Sequence, residues 1–203
     1  MDIKICKDER EWTQEARRWL ESHLAKHQPK KVFLPAGNTP VPLYEDLEKN
    51  PLPALKGVRL LQVDEILTGP KAGEFKQFFK SHLPSFQNQF EWIEEATSTA
   101  EVSVLGIGMN GHVAFHEPGL PSHFGSGCMA LTPTTCKVLG LQSPTWAVSY
   151  GAETFMKSKS ILLIVRGEAK RAIVQEAMRP GSQLPAAQIF KHSDVTLLTN
   201  FDF

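Results

Sequence analysis

The sequence predicts an α/β fold built on a mostly parallel sheet with helices on both faces. Three observations predict it. Short apolar strands alternate with amphipathic helices along the chain. Four polar turns fall at strand ends, the pattern of a sheet whose ligands sit beyond its carboxyl edge. Hydrophobic residues make up 41% of 203 positions and charged residues 22%, an ordinary balance for a compact core.

Residues 8–27 read as a helix because Trp12, Ala16, Trp19, Leu20 and Leu24 recur at helical spacing, with Asp8 placed to cap it. Lys31–Leu34 is a short strand that breaks into Pro35-Ala36-Gly37-Asn38-Thr39-Pro40, and a helix follows over 40–49 with proline near its first turn. Val58–Val63 is the next strand and stops at Asp64-Glu65. Residues 73–82 are helical and Val102–Leu105 is a third strand. Thr145–Ser149, Ser160–Val165 and Asp194–Thr199 are three more, with a helix over Glu168–Met178 that ends before Pro180. Pro118 to Pro144, rich in Gly, Pro, Ser and Thr, is the least regular stretch and reads as a lid or a long loop. No repeat or linker interrupts the chain, so residues 1–203 are expected to form a single domain.

Composition narrows the function classes. Lys plus Arg and Asp plus Glu number 22 each, so nothing in the net charge favours nucleic acid or an anionic membrane as partner. No apolar run approaches a membrane span and Met1-Asp2-Ile3-Lys4 lacks a signal-peptide core. Cys6, Cys128 and Cys136 have neither an even count nor a metal-ligand spacing, which predicts reduced thiols, a cytoplasmic protein and no metal site. No heptad or interface stripe indicates an oligomeric state.

The chemistry-bearing residues cluster at the strand ends. Leu105-Gly106-Ile107-Gly108-Met109-Asn110-Gly111-His112-Val113-Ala114-Phe115-His116-Glu117 runs from a strand through glycines to a histidine and a carboxylate. Glycines there allow close approach of backbone to a ligand, and His112 with Glu117 is either a proton shuttle with its orienting carboxylate or a surface pair. Gly37-Asn38-Thr39 is either a phosphate cradle or a simple helix start. Asp64-Glu65 is a general base with a helper or two solvated acids, and Lys170, one turn past Gly167, is a phosphate counter-charge or a solvated lysine.

These segments occur together in the order seen in one family. On Leu34–Pro40, Val63-Asp64-Glu65, Leu105–Gly119 and Gly167-Glu168-Ala169-Lys170, the chain resembles the glucosamine-6-phosphate deaminase/isomerase family, related to the 6-phosphogluconolactonases. The resemblance covers nearly the whole chain and is most specific around His112. It implies a Rossmann-like three-layer fold and chemistry on a phosphosugar with no metal or nucleotide cofactor. By this resemblance Asp64 moves protons between C1 and C2, His112 helps open the sugar ring, Glu117 orients the imidazole, and Asn110 supports it. Gly37, Asn38, Thr39 and Lys170 are expected to hold the phosphate, with Glu65, Gly108 and Gly111 completing the substrate-binding set.

The glutamate retained in Val113-Ala114-Phe115-His116-Glu117-Pro118-Gly119 favours the deaminase branch, whereas Leu184-Pro185-Ala186-Ala187 has a lactonase character. The resemblance therefore implies an amino-sugar phosphate isomerase/deaminase, with a lactonase-like hydrolase or a non-catalytic phosphosugar sensor as alternatives. Departures from the family pattern are Asn38 in the cradle, His116 in place of the usual Asn, and a short stretch from Phe86 to Glu101 that leaves no room for a usual helix. Where deaminases carry a phosphate-binding arginine in a mobile lid, this chain reads Thr134-Thr135-Cys136-Lys137-Val138-Leu139-Gly140, which predicts a shortened lid.

Overall fold

The computed structural model describes residues 1–94 and 98–202. In chain order its elements are β1 (Asp2–Ile5), α1 (Glu9–His27), β2 (Lys31–Leu34), α2 (Val41–Lys49), β3 (Arg59–Gln62), β4 (Asp64–Ile66), α3 (Glu74–His82), β5 (Phe90–Glu91) and β6 (Val102–Gly106). The second half runs β7 (Ser126–Ala130), α4 (Pro133–Leu139), β8 (Trp146–Tyr150), α5 (Ala152–Phe155), β9 (Ser160–Ile164), α6 (Arg171–Met178), α7 (Pro185–Ile189) and β10 (Val195–Thr199).

Seven strands form one parallel sheet in the order β1-β10-β9-β6-β2-β3-β5. Their residues alternate between two apolar layers, as a sheet covered on both faces requires. Val32, Leu34, Leu60, Val104, Leu162 and Ile164 pack with Trp12, Leu20 and Leu24 of α1 and Leu43, Tyr44 and Leu47 of α2. Phe33, Leu61, Leu105, Ile161, Leu163 and Leu197 face the other way, onto Phe155, Val174, Ala186 and Ile189. Each such large side chain contributes about 1.5–3 kcal/mol by leaving water. Helix α1 is also well capped: Asp8 accepts from the Glu11 amide at 2.8 Å, and Gln28 closes the other end in a left-handed conformation.

From β2 the chain moves outward to β3 and β5, then returns to β6 on the other side and continues to β9 and β10. The order reverses between β2 and β6, so their carboxyl ends flank a crevice. The ends of β3 and β9 lie next to them in the sheet.

Three features depart from the sequence expectation. The 145–149 segment was expected among the strands of the parallel sheet; β8 instead pairs antiparallel with β4 and β7 in a small second sheet. Asp64-Glu65, expected as a turn, opens β4: the Tyr150 amide donates to the Val63 carbonyl at 3.0 Å and draws the chain out of the main sheet. The 118–144 stretch is not a long loop but contains β7 and α4, whose ends are set by Thr132, which accepts from the Thr135 amide, by Pro133 in the first turn, and by Gly140 in left-handed conformation.

The described part of the short 86–101 connection holds the end of a 3-10 turn (Pro84–Gln89) and β5; residues 95–97 of this connection, where no helix was expected, lie outside the described residues. No helix among the described residues is long and apolar enough to cross a membrane.

Candidate active site

A cavity of about 400 Å³ opens at the carboxyl edge of β2, β3, β6 and β9. Its wall includes Gly37, Asn38, Thr39, Asp64, Gly108, His112, Arg166 and Lys170. Phe75, Phe115, Val138 and Leu139 make an apolar side. Strand ends thus bring one carboxyl, one imidazole and two basic side chains around a space suited to a small polar ligand.

Asp64 is buried on this wall and receives no hydrogen bond to its carboxyl oxygens from the described residues. Burial, and after it the nearby Glu65 carboxylate, pushes its pKa well above the ordinary carboxylate range. Burial therefore makes Asp64 hold a proton more readily than an exposed carboxyl does. Its backbone is fixed by Gln62, whose Nε2 donates to the Asp64 carbonyl at 2.9 Å.

Glu65, expected among the substrate-binding residues, does not join it on the cavity wall. In β4 successive side chains point to opposite faces, so Glu65 turns away from the cavity. Its Oε1 accepts from the amides of Ile66 at 2.8 Å and Phe75 at 3.1 Å, and its Oε2 accepts from the Lys76 amide at 2.7 Å and Gln62 Nε2 at 2.9 Å. Glu65 therefore caps α3, whose first amides have no partner within the helix.

His112 sits at the end of the turn that leaves β6. The Gly108 amide donates to the His112 carbonyl at 2.9 Å, folding the turn back on itself. A Cβ at Gly108 would lie 2.0 Å from His112 Nε2, so glycine is required for the imidazole to occupy its place. Gly111 adopts φ +83° and its missing side chain leaves space filled by Leu184, while its carbonyl accepts from the Ala186 amide at 3.1 Å. The Leu184–Ala186 segment thus buttresses the histidine turn from behind.

Behind His112 a polar cluster fixes the ring. Its Nδ1 lies 3.6 Å from Glu117 Oε2, an ion-pair separation, and 3.4 Å from Thr135 Oγ1. Glu117 is buried; its Oε2 accepts from Asn110 Nδ2 at 2.8 Å and Thr132 Oγ1 at 3.3 Å, while Oε1 has no hydrogen-bond partner among the described residues. Burial alone would raise the Glu117 pKa, but His112, Thr135 and Asn110 together outweigh it and hold the carboxyl down at about 2. Asn110 also turns its Oδ1 to the His112 amide at 3.2 Å. Asn110, Gly111 and Glu117 are therefore behind the cavity wall, acting on the imidazole and its turn.

His116 is fully buried. Its Nδ1 accepts from the Ala152 amide at 3.1 Å and its ring meets Phe124 edge to face. Burial lowers its pKa, against the nearby carbonyls of Pro121 and Leu120. This second histidine therefore ties the 113–116 turn to the start of α5 and is absent from the cavity wall. Among the described residues, no three His, Cys, Asp or Glu side chains are grouped to hold a metal ion.

At one end of the cavity, Gly37, Asn38 and Thr39 lead into α2; Pro40 and Pro42 have no N–H, so this helix start offers an anion its dipole and the amides of Val41 and Leu43. Lys170 Nζ donates to the Ile107 carbonyl at 2.6 Å, and burial lowers its pKa. Arg166, which the sequence reading passed over, lines the same end, and its signal was its position two residues beyond β9, next to Gly167. Thr135 and Thr132 were also missed as partners of the histidine; the Thr132-Pro133 start of a capped helix was their signal. Lys137 of α4 is exposed and absent from the cavity wall.

Comparison with known proteins bears on the family and the fold. A family model described as glucosamine-6-phosphate isomerases/6-phosphogluconolactonase matches residues 72–198, more than half of the chain. A glucosamine-6-phosphate deaminase of Lactobacillus acidophilus is 28% identical over 204 residues, covering 86% of this chain and 84% of that protein. One from Bacillus cereus is 25% identical over 229 residues, covering 98% and 87%. Among solved structures, a monomeric glucosamine-6-phosphate deaminase superposes with a TM-score of 0.79 at 23% identity, covering 98% of this chain and 97% of that one. The 6-phosphogluconolactonase of Trypanosoma brucei gives 0.78 at 16% identity, covering 98% and 95%. These two structures share the fold.

Proposed function

The chain belongs to the glucosamine-6-phosphate isomerase/6-phosphogluconolactonase family, and we propose that within it this protein is an amino-sugar phosphate isomerase that deaminates. Glucosamine 6-phosphate and water would become fructose 6-phosphate and ammonia. The observation that carries this reading is Asp64, a buried carboxyl with no hydrogen bond from the described residues, facing the same cavity as His112.

The chemistry follows from the placement. The phosphate lies at the Gly37–Thr39 turn near Lys170, remote from the reacting carbons, so its binding energy positions them. His112 moves the proton that opens the ring, and Glu117 with Thr135 holds the imidazole for that task. Asp64 then takes the proton from C2 and returns one to C1, which requires a carboxyl whose pKa is raised toward the working pH. Addition of water at C2 expels ammonia. Each step is a proton transfer or a water addition within the repertoire of these side chains.

The test is to supply purified protein with glucosamine 6-phosphate and follow ammonia and fructose 6-phosphate together, with 6-phosphogluconolactone in parallel. Equimolar ammonia and fructose 6-phosphate are expected. Lactone hydrolysis alone would instead make His112 the base that activates water. Silence in both, with binding of a phosphosugar retained, would leave a sensor.

A further inference from the structure

We propose that Arg166 is the second cation of the phosphate end, a fixed guanidinium that receives phosphate oxygens beside the Gly37–Thr39 turn; this rests on the reading of the cavity as a phosphosugar site. A phosphate monoester carries roughly −1.5 to −2 charge near neutral pH. Lys170 supplies at most one positive charge, and its ammonium already donates to the Ile107 carbonyl. Besides His112, the other basic side chain on the cavity wall is Arg166.

Its guanidinium is held from three sides. Nη1 donates to the Thr39 carbonyl at 3.3 Å, with the Asn38 carbonyl at 3.5 Å. Nη2 pairs with Glu9 at the start of α1. The plane lies over the Trp12 ring, 5.4 Å from its centroid. Arginine therefore stands ready at the residues expected to cradle the phosphate, without ordering on binding. Five donors allow it to keep the Asn38 and Thr39 carbonyls and still present an N–H to the ligand.

Glu9 is the informative partner. Its carboxylate is exposed, so its pairing with Arg166 is readily exchanged for a stronger one. A bound phosphate would compete with Glu9 for the same guanidinium. Removing Glu9 should therefore tighten phosphate binding, which a merely structural strut would not do.

Calorimetric titration of the full chain with inorganic phosphate and with glucosamine 6-phosphate, on an Asp64→Asn background that blocks turnover, tests this. Arg166→Ala should weaken both by about tenfold or more, and Arg166→Lys, which keeps charge but not the fork, by about three- to tenfold. Glu9→Gln should tighten both about two- to fivefold. Unchanged affinity in a folded Arg166→Ala protein, or weaker binding in Glu9→Gln, overturns the assignment while the site reading stands. If Arg166→Ala does not fold, Arg166→Lys and Glu9→Gln decide by the same criteria. Failure of the parent to bind glucosamine 6-phosphate at all would overturn the phosphosugar reading, and the role of Arg166 with it.

Discussion

Replacing Glu117 by glutamine removes one negative charge from behind His112 and leaves the shape of the side chain. Interactions with His112, Thr135 and Asn110 hold the folded-state pKa at about 2, against an ordinary 4.5. That difference of about 2.5 units corresponds to about 3 kcal/mol of stability at neutral pH. Because the folded pKa is depressed, this contribution is fully present above pH 4.5 and is lost as pH falls through about 2. By pH 3 about 2 kcal/mol of it should be gone.

The replacement amide adds a cost at neutral pH, since Glu117 Oε1 faces no partner among the described residues and an amide N–H there would be unpaired too. Urea unfolding of both proteins at pH 7, 5 and 3 measures the gap directly. We expect a gap of about 2–4 kcal/mol at pH 7 that narrows strongly by pH 3. A gap under about 0.5 kcal/mol at pH 7, or one that does not change between pH 7 and 3, would refute the charge argument.

Three further outcomes follow from the site geometry. Gly108→Ala should abolish turnover by about 100-fold or more with a small change in melting temperature, because the new methyl occupies the place of His112 Nε2; retained kcat would contradict this. Glu65→Gln should lower stability by about 1–3 kcal/mol through the weakened α3 cap, read by denaturant unfolding, with KM for glucosamine 6-phosphate nearly unchanged. Asp64 should place the acid limb of kcat above the ordinary carboxylate range, and Glu65→Gln should move that limb to lower pH by removing a neighbouring negative charge; a pH–rate profile in both proteins checks it.

Much of this molecule is written in local sequence patterns. Helix α1 is visible in the spacing of Trp12, Ala16, Trp19, Leu20 and Leu24, and the structure buries all five. The glycine turn before His112 announces a close approach, which Gly108 makes against the imidazole itself. Strand direction is not written locally: Ala147, Val148 and Tyr150 are buried as a central strand would be, yet β8 runs antiparallel in the small sheet. Nor does β7 advertise itself, since Ser126-Gly127-Cys128-Met129-Ala130 is poor in β-branched residues and pairs because β8 lies beside it.

The direction of adjacent acids is likewise a tertiary matter. Asp64 and Glu65 look equivalent in sequence, and one step along β4 sends the first to the cavity and the second to the amides of α3. Arg166 was hidden for a related reason. Its partners Glu9, Asn38 and Thr39 are distant in the chain and meet only when β9 and β2 enter one sheet.

The central claim is that the buried Asp64 carboxyl moves the substrate proton, and Asp64→Asn tests it most directly. The amide keeps the shape but cannot accept a proton from carbon. Burial favours the protonated form of Asp64, so its stabilising effect is present below an ordinary carboxylate pKa and is lost as pH rises through the raised value. Asp64→Asn should accordingly melt no lower than the parent at pH 7. With glucosamine 6-phosphate as substrate, kcat should fall by about 1,000-fold or more while the dissociation constant stays within about threefold. Turnover within about tenfold of the parent, in a variant that binds normally, would contradict the account.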